Sequence, residues 1–363
     1  MKIAFYGSSL LSAYWNGAAT YYRGMLRELA ARGWEVTFYE PDAFDRQQHR
    51  DIDPPVWATV VVWDNTPGAC REVVARAADA DVVVKASGVG VFDDELLTVF
   101  DHARPDALTV YWDVDAPATL AEIRGQPEHP LRRALREIDM VLTYGGGPPV
   151  VGAFEALGAR MCRPIYNALD PTTHHPVEPQ ARFAADLSLL ANRLPDREAR
   201  IEGFFIEPAA SLPDRSFLLG GNGWHDKPLP ANVRALGHVG TADHNAFNCS
   251  SLAVLNVSRD SMAENGFSPA TRVFEAAGAG ACLITDHWEG IDQFLKPGEE
   301  VLVARDGREV AEHLAALTPE RARAIGEAAR RRVLAEHTYA RRADEADALF
   351  RQSLAARRER SAA

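Results

Sequence analysis

The chain has 363 residues, 47% hydrophobic and 25% charged, with a formal net charge of −12. That length exceeds what one hydrophobic core usually spans, so two domains are expected. So acidic a chain has no general electrostatic footing for nucleic acid or an anionic membrane surface, which leaves only a local basic pocket for a small anion.

Lys2–Tyr6 predicts a first strand, closed by Gly7-Ser8-Ser9. A helix follows over residues 19–32, with Leu26, Leu29 and Ala30 at helical spacing and Gly33 as its stop. Further strands are expected at residues 35–39, 58–63, 81–85, 108–112 and 140–144. The runs VVVW and VVVK suit the middle of a parallel sheet, where both faces are covered. LDPTTHHPVEPQ, residues 169–180, has three prolines and no periodicity, and reads as a linker.

Alternation then restarts. Strands are expected at 186–191, 216–219, Val233–Gly237, 251–257 and 301–304, with a helix over 198–212. The end is helical, over Pro319–Glu336 and again over 339–357. Two α/β halves joined by a proline-rich segment predict two Rossmann-like domains facing each other. The expected division is 1–170, a linker at 171–180, 181–338, and a final helix at 339–363.

Cys70, Cys162, Cys249 and Cys282 form no C-x-x-C pair, which excludes a zinc knuckle or a redox motif and reads as free thiols in a reducing compartment. The start, MKIAFYGSSLL, lacks a signal-peptide pattern, and no apolar run is long enough to cross a bilayer. The expectation is a cytoplasmic monomer or homodimer. His174 and His175 lie in the linker, and His238 and His244 lack the i, i+4 spacing of a zinc pair. No metal site is therefore expected.

The segment SPATRVFEAAGAGACLITD, residues 268–286, carries the most chemistry. Ser268 can cap a helix and Pro269 suits its first turn. Val273, Phe274 and Ala277 share one face of that helix, and Ser268, Arg272 and Glu275 the other. The helix start can seat a phosphate, with Arg272 adding a charge-assisted bond and Glu275 taking ribose hydroxyls. The alternative is a solvated polar face. Upstream, a strand runs into Gly220, Gly221 and Gly223, glycines that let backbone approach a ligand closely.

This order resembles the C-terminal domain of GT-B-fold glycosyltransferases, and in particular the CgeB-like, spore-maturation-type family. Its SP-x-x-R-x-FEA-x-x-x-G segment reads here as residues 268–280, supported by YGGGPPV (144–150), YNALDP (166–171), WDVDAP (112–117) and KPGEEVLV (296–303). The resemblance implies a GT-B fold with the last helix packing back on the N-terminal domain. It implies a nucleotide-sugar donor (UDP-, GDP-, ADP- or dTDP-sugar) with no tightly bound cofactor. Glu275 would bind the ribose. Backbone of Ser268, Pro269, Ala270 and Thr271 would hold the diphosphate, beside the turn Gly221, Asn222 and Gly223. Backbone at Leu236, Gly237, His238 and Val239 would read the base. Where relatives carry Gly-Arg-Leu this chain has Asn192-Arg193-Leu194, so Arg193 is the expected phosphate arginine, with Arg197 or Arg272 replacing a missing lysine. Eight positions before Glu275, where retaining relatives carry a second glutamate, stands Phe267.

In the N-terminal half, Asp113 and Asp115 follow a strand. They could serve as a cleft-facing base or acceptor ligand, or as the metal pair of a GT-A enzyme, or Asp115 could simply cap a helix. Asn16 and Gly17, and the loop Tyr144, Gly145, Gly146, are expected to line an acceptor cleft. Two other functions stay open. One is a non-catalytic nucleotide-binding protein. The other is a nicotinamide dehydrogenase with Glu40 as its ribose acid, although GSSLLS is not the G-x-G-x-x-G turn.

Overall fold

In the computed structural model, which describes residues 1–362, the chain forms two compact units. One comprises residues 1–166 and the helix that begins at Tyr339; the other is residues 167–338.

The first unit holds seven strands: β1 (Lys2–Tyr6), β2 (Glu35–Asp42), β3 (Ala58–Asp64), β4 (Val82–Ala86), β5 (Leu108–Asp113), β6 (Met140–Thr143) and β7 (Cys162–Pro164). Their order is β3-β2-β1-β4-β5-β6-β7, with every pair parallel. β4, with VVVK, is central and buried along its whole length as expected, but β3, with VVVW, is the edge strand and mostly half-buried, so an apolar run alone does not place it in the middle. Sequence patterning missed β7, a three-residue edge strand of Cys, Arg and Pro with no run of apolar residues, whereas the equally short β13 is apolar throughout and was expected.

The second unit holds β8 (Ala185–Leu190), β9 (Phe217–Gly220), β10 (Val233–Gly237), β11 (Ser251–Asn256), β12 (Leu283–Asp286) and β13 (Leu302–Ala304). They order as β10-β9-β8-β11-β12-β13, again all parallel. Leu187, Leu219, Leu255 and Ile284 pack against Ile201, Phe205, Val310 and Leu314 of the covering helices. Each sheet therefore has one topological switch point, between β1 and β4 and between β8 and β11, where such sheets bind ligands beyond the strands' carboxyl ends.

Two expectations need correction. The helix over 198–212 is interrupted by a wide π turn at Glu202–Ile206, just ahead of Pro208, whose ring excludes a regular i→i−4 bond. The linker has no regular element along most of its length, but it lies on the second unit: Leu169 N–H donates to His337 O at 2.8 Å, and His174 is buried. The final helix, Tyr339–Ala362, packs back on the first unit. Arg32 pairs with Asp344 at 2.8 Å, Trp34 Nε1 donates to Asp347 at 2.6 Å, and Phe350 meets the rings of Trp34 and Trp112.

Candidate functional site

At the second switch point the chain leaves β11, crosses residues 257–270 and enters the helix Thr271–Gly278. Ser268 does not cap this helix. The N-cap is Ala270, and Ser268 is buried with its Oγ unpartnered. Val273, Phe274 and Ala277 are fully buried, as their spacing predicts. The opposite face is not solvated: Glu275 is 8% exposed, and the side chain of Arg272 is 16% exposed.

Arg272 Nη2 stands 3.8 Å from Glu275 Oε2, and His174 Nε2 stands 3.7 Å from Glu275 Oε1. Both separations exceed a hydrogen bond. Arg272 Nη1 is buried and has no partner. Arg197, from the turn after β8, donates Nη2 to Asn192 O at 2.8 Å, while its Nε is buried and unpartnered. Asn167 donates to Pro269 O at 3.4 Å and leaves its own Oδ1 unpartnered. Burial pushes both guanidinium pKa values down. Arg272 pushes that of Arg197 further, and Glu275 partly restores that of Arg272. Guanidinium stays protonated regardless. The result is two partly buried, like-charged side chains, each with one buried N–H atom lacking an acceptor, at a cost of about 1–3 kcal/mol apiece. An anion with several oxygens would satisfy them together.

Burial alone would raise the Glu275 carboxyl, but Arg272, then His174 and His244, hold it below the ordinary glutamate range. His244 is pushed down to about 4, by burial first and Arg272 second. Glu275 is thus ionised and His244 neutral near pH 7. Sequence reading discounted both histidines. His174 seemed to sit in a free linker, and His244 is joined to it only by the fold; no local spacing signals the pair.

Other expected residues have different duties. Arg193 binds Glu198 Oε1 at 2.7 Å, Asp226 Oδ1 at 2.9 Å and Gly223 O at 3.3 Å, so its charge is already matched by two carboxylates. Gly221, at φ +117°, is required by its own chain: a Cβ there would overlap Ala191 O. Asn222 and Gly223 are exposed, with Asn222 N–H bound to Asn192 Oδ1 at 2.9 Å. Gly237 and His238 are exposed at the end of β10, whereas Val239 is buried against Phe247 and Leu218. Phe267 adopts φ +47°, donates its N–H to Glu289 O at 2.6 Å and is buried, an apolar plug; Glu264 is exposed.

At the first unit's switch point most expected residues are engaged within their own loops. Asn16 is buried, accepting from Ser8 Oγ at 2.9 Å and donating to Ser9 O and Ser12 O; Gly17 is exposed. Glu40 is fully buried and accepts from Leu10 N–H, Leu11 N–H, Ser9 Oγ and Gln47, so it does not present a ribose-binding acid. Asp113 is fully buried rather than facing a cleft. Its Oδ1 accepts from Ser87 Oγ, Thr119 Oγ1 and Asp115 N–H, while its Oδ2 has no partner. Burial pushes its pKa up to about 6. Asp115 occupies the N-cap position of helix Ala116–Arg124 without a side-chain capping bond. Tyr144 N–H donates to Asp113 O at 3.1 Å; Gly145 and Gly146 are buried, and Gly146 at φ +91° turns the chain into helix Gly147–Ala156.

Residues 197–348 match a family model described as glycosyl transferase-like. No curated protein matches the chain. Solved structures match along its whole length. Sucrose-phosphate synthase from Thermosynechococcus elongatus has a TM-score of 0.71 at 15% identity, covering 98% of this chain and 100% of its own. Anabaena HepE in complex with UDP and glucose has a TM-score of 0.69 at 16% identity, covering 97% and 100%. T4 phage BGT with its UDP-glucose substrate has a TM-score of 0.61 at 12% identity, covering 98% and 99%. The chain has the GT-B fold, two Rossmann-like parallel-sheet domains, and a glycosyl transferase-like C-terminal half.

Proposed function

We propose that this protein is a CgeB-like glycosyltransferase that takes a nucleotide sugar on its 167–338 unit and passes the sugar to an acceptor held by the other unit. One observation carries the reading: Arg272 Nη1 and Arg197 Nε are buried without acceptors, and the Arg272 charge acts on Arg197. A diphosphate supplies the missing acceptors, and transfer releases it with added charge that the same arginines stabilise. Glu275, ionised and buried, accepts from the ribose hydroxyls. The exposed backbone at Gly237 and His238 reads the base. UDP is the first donor base to test, because the Anabaena and T4 phage structures contain UDP or UDP-glucose.

The proposal includes retention of the anomeric configuration. The acceptor hydroxyl attacks on the face from which the diphosphate departs, and the departing phosphate oxygen takes its proton. No protein nucleophile is required, and an apolar residue at Phe267 is compatible with that.

A thermal-shift panel of UDP, GDP, ADP, dTDP and NAD tests the donor reading. Stabilisation by at least one nucleoside diphosphate, lost in Arg272→Met, is expected. Stabilisation by NAD alone would sink it. Proton NMR of the first sugar product then reads the anomer, and an inverted centre would remove retention.

A further inference from the structure

His174, His244 and Glu275 each present one ligand atom within 4.8 Å of the other two. His174 is fixed in orientation, since its Nδ1 lies 3.0 Å from Thr173 Oγ1, which leaves Nε2 directed at Glu275 Oε1. Outer hydrogen bonds of this kind orient metal-binding imidazoles. His244 Nδ1 is buried with no hydrogen-bond partner. Three good ligand atoms thus converge without any hydrogen bond among them.

We infer that His174, His244 and Glu275 form a site for a divalent transition metal such as Zn²⁺, and that the metal and the donor ribose compete for Glu275. The competition rests on the reading of Glu275 as the ribose ligand; the metal site itself does not.

Two imidazoles and a carboxylate are a known zinc ligand set with one open position. Tetrahedral bonds of about 2.1 Å place ligand atoms about 3.4 Å apart, so side-chain rotation must draw this set together slightly. Arg272 lies toward the other oxygen, Oε2, of the same carboxylate. A dication on Oε1 leaves Glu275 shared between two positive centres and its Oε1 closed to a hydroxyl. The metal would therefore act as an inhibitor of donor binding rather than as part of the transfer step.

The experiment is a Co²⁺ titration of the full-length, chelator-treated protein, followed by visible absorption and repeated in saturating UDP. One equivalent giving an intense tetrahedral-type spectrum is expected, with affinity reduced tenfold or more in His174→Ala and in His244→Ala, and reduced again by UDP. Absence of the band, or a band unaffected by both histidine substitutions, overturns the site. Co²⁺ affinity unmoved by UDP overturns the competition. Thermal stabilisation of the metal-free protein by UDP is measured in parallel; its absence is a failure of the donor reading, while the metal site still stands or falls on the Co²⁺ band and its histidine dependence.

Discussion

The two switch points share a topology and differ in how their buried polar groups are satisfied. Beyond β1 and β4, the acids Glu40 and Asp113 accept from hydroxyls and backbone N–H groups of their own loops. Beyond β8 and β11, two partly buried arginines each have a buried N–H atom without an acceptor. The first edge also keeps a buried cation, Arg46, whose Nη1 reaches the carbonyls of Ser8 and Val89 while its Nε has no partner; the second sets Arg272 beside the ionised Glu275. A shared fold therefore does not make the two edges equivalent, and the diphosphate proposed for the second rests on its particular side chains rather than on the topology.

The sharpest way to break this contrast is Arg272→Met. It removes a buried cation, and UDP affinity by calorimetry should fall at least about 100-fold, the scale of a lost charge-assisted bond to phosphate of about 3 kcal/mol. An unchanged affinity would move the diphosphate elsewhere.

The next test addresses the other edge. Asp113 has a folded pKa of about 6, above its ordinary value of 3.8. The folded state therefore binds the proton more tightly, and stability is greatest below about pH 4 from this group. It declines through pH 4–6 and is flat above, a span of up to about 3 kcal/mol. Asp113→Asn keeps the acceptor oxygen and should flatten that slope in urea unfolding of the first unit.

Glu275→Gln sharpens the ribose assignment. UDP binding should weaken about tenfold, on the scale of a hydrogen bond to a charged group. A 2′,3′-dideoxy analogue of UDP should bind both proteins alike. Arg193→Ala is expected to have the smallest effect, less than about threefold on UDP affinity, because its charge is already answered by Glu198 and Asp226. A large loss would restore Arg193 to the diphosphate.

Strand and helix positions were legible because their signals are local. Lys2–Tyr6, Val233–Gly237 and Pro319–Glu336 are found with the expected bounds. The polar pair Arg272 and Glu275 was legible as well, since both lie on one helical face. Partnership was not. Arg193 and Arg197 look alike in sequence, yet only the fold sets Asp226 beside the first and Arg272 near the second. The same holds for His174, hidden in a proline-rich run until packing brings it to Glu275. Ser268 read as a cap because Ser-Pro commonly starts a helix, but the turn begins at Ala270.

The first unit is completed by the helix Tyr339–Ala362, which follows the second unit in sequence, and this sets an order of assembly. During synthesis, residues 167–338 emerge as an uninterrupted unit. The surface around Trp34 and Trp112 awaits Phe350, and Arg32 awaits Asp344, until residues 339–362 have been made. A stop codon shortly after Thr338 would spare the whole second unit yet leave the N-terminal sheet with exposed aromatic rings, a target for chaperones and proteases.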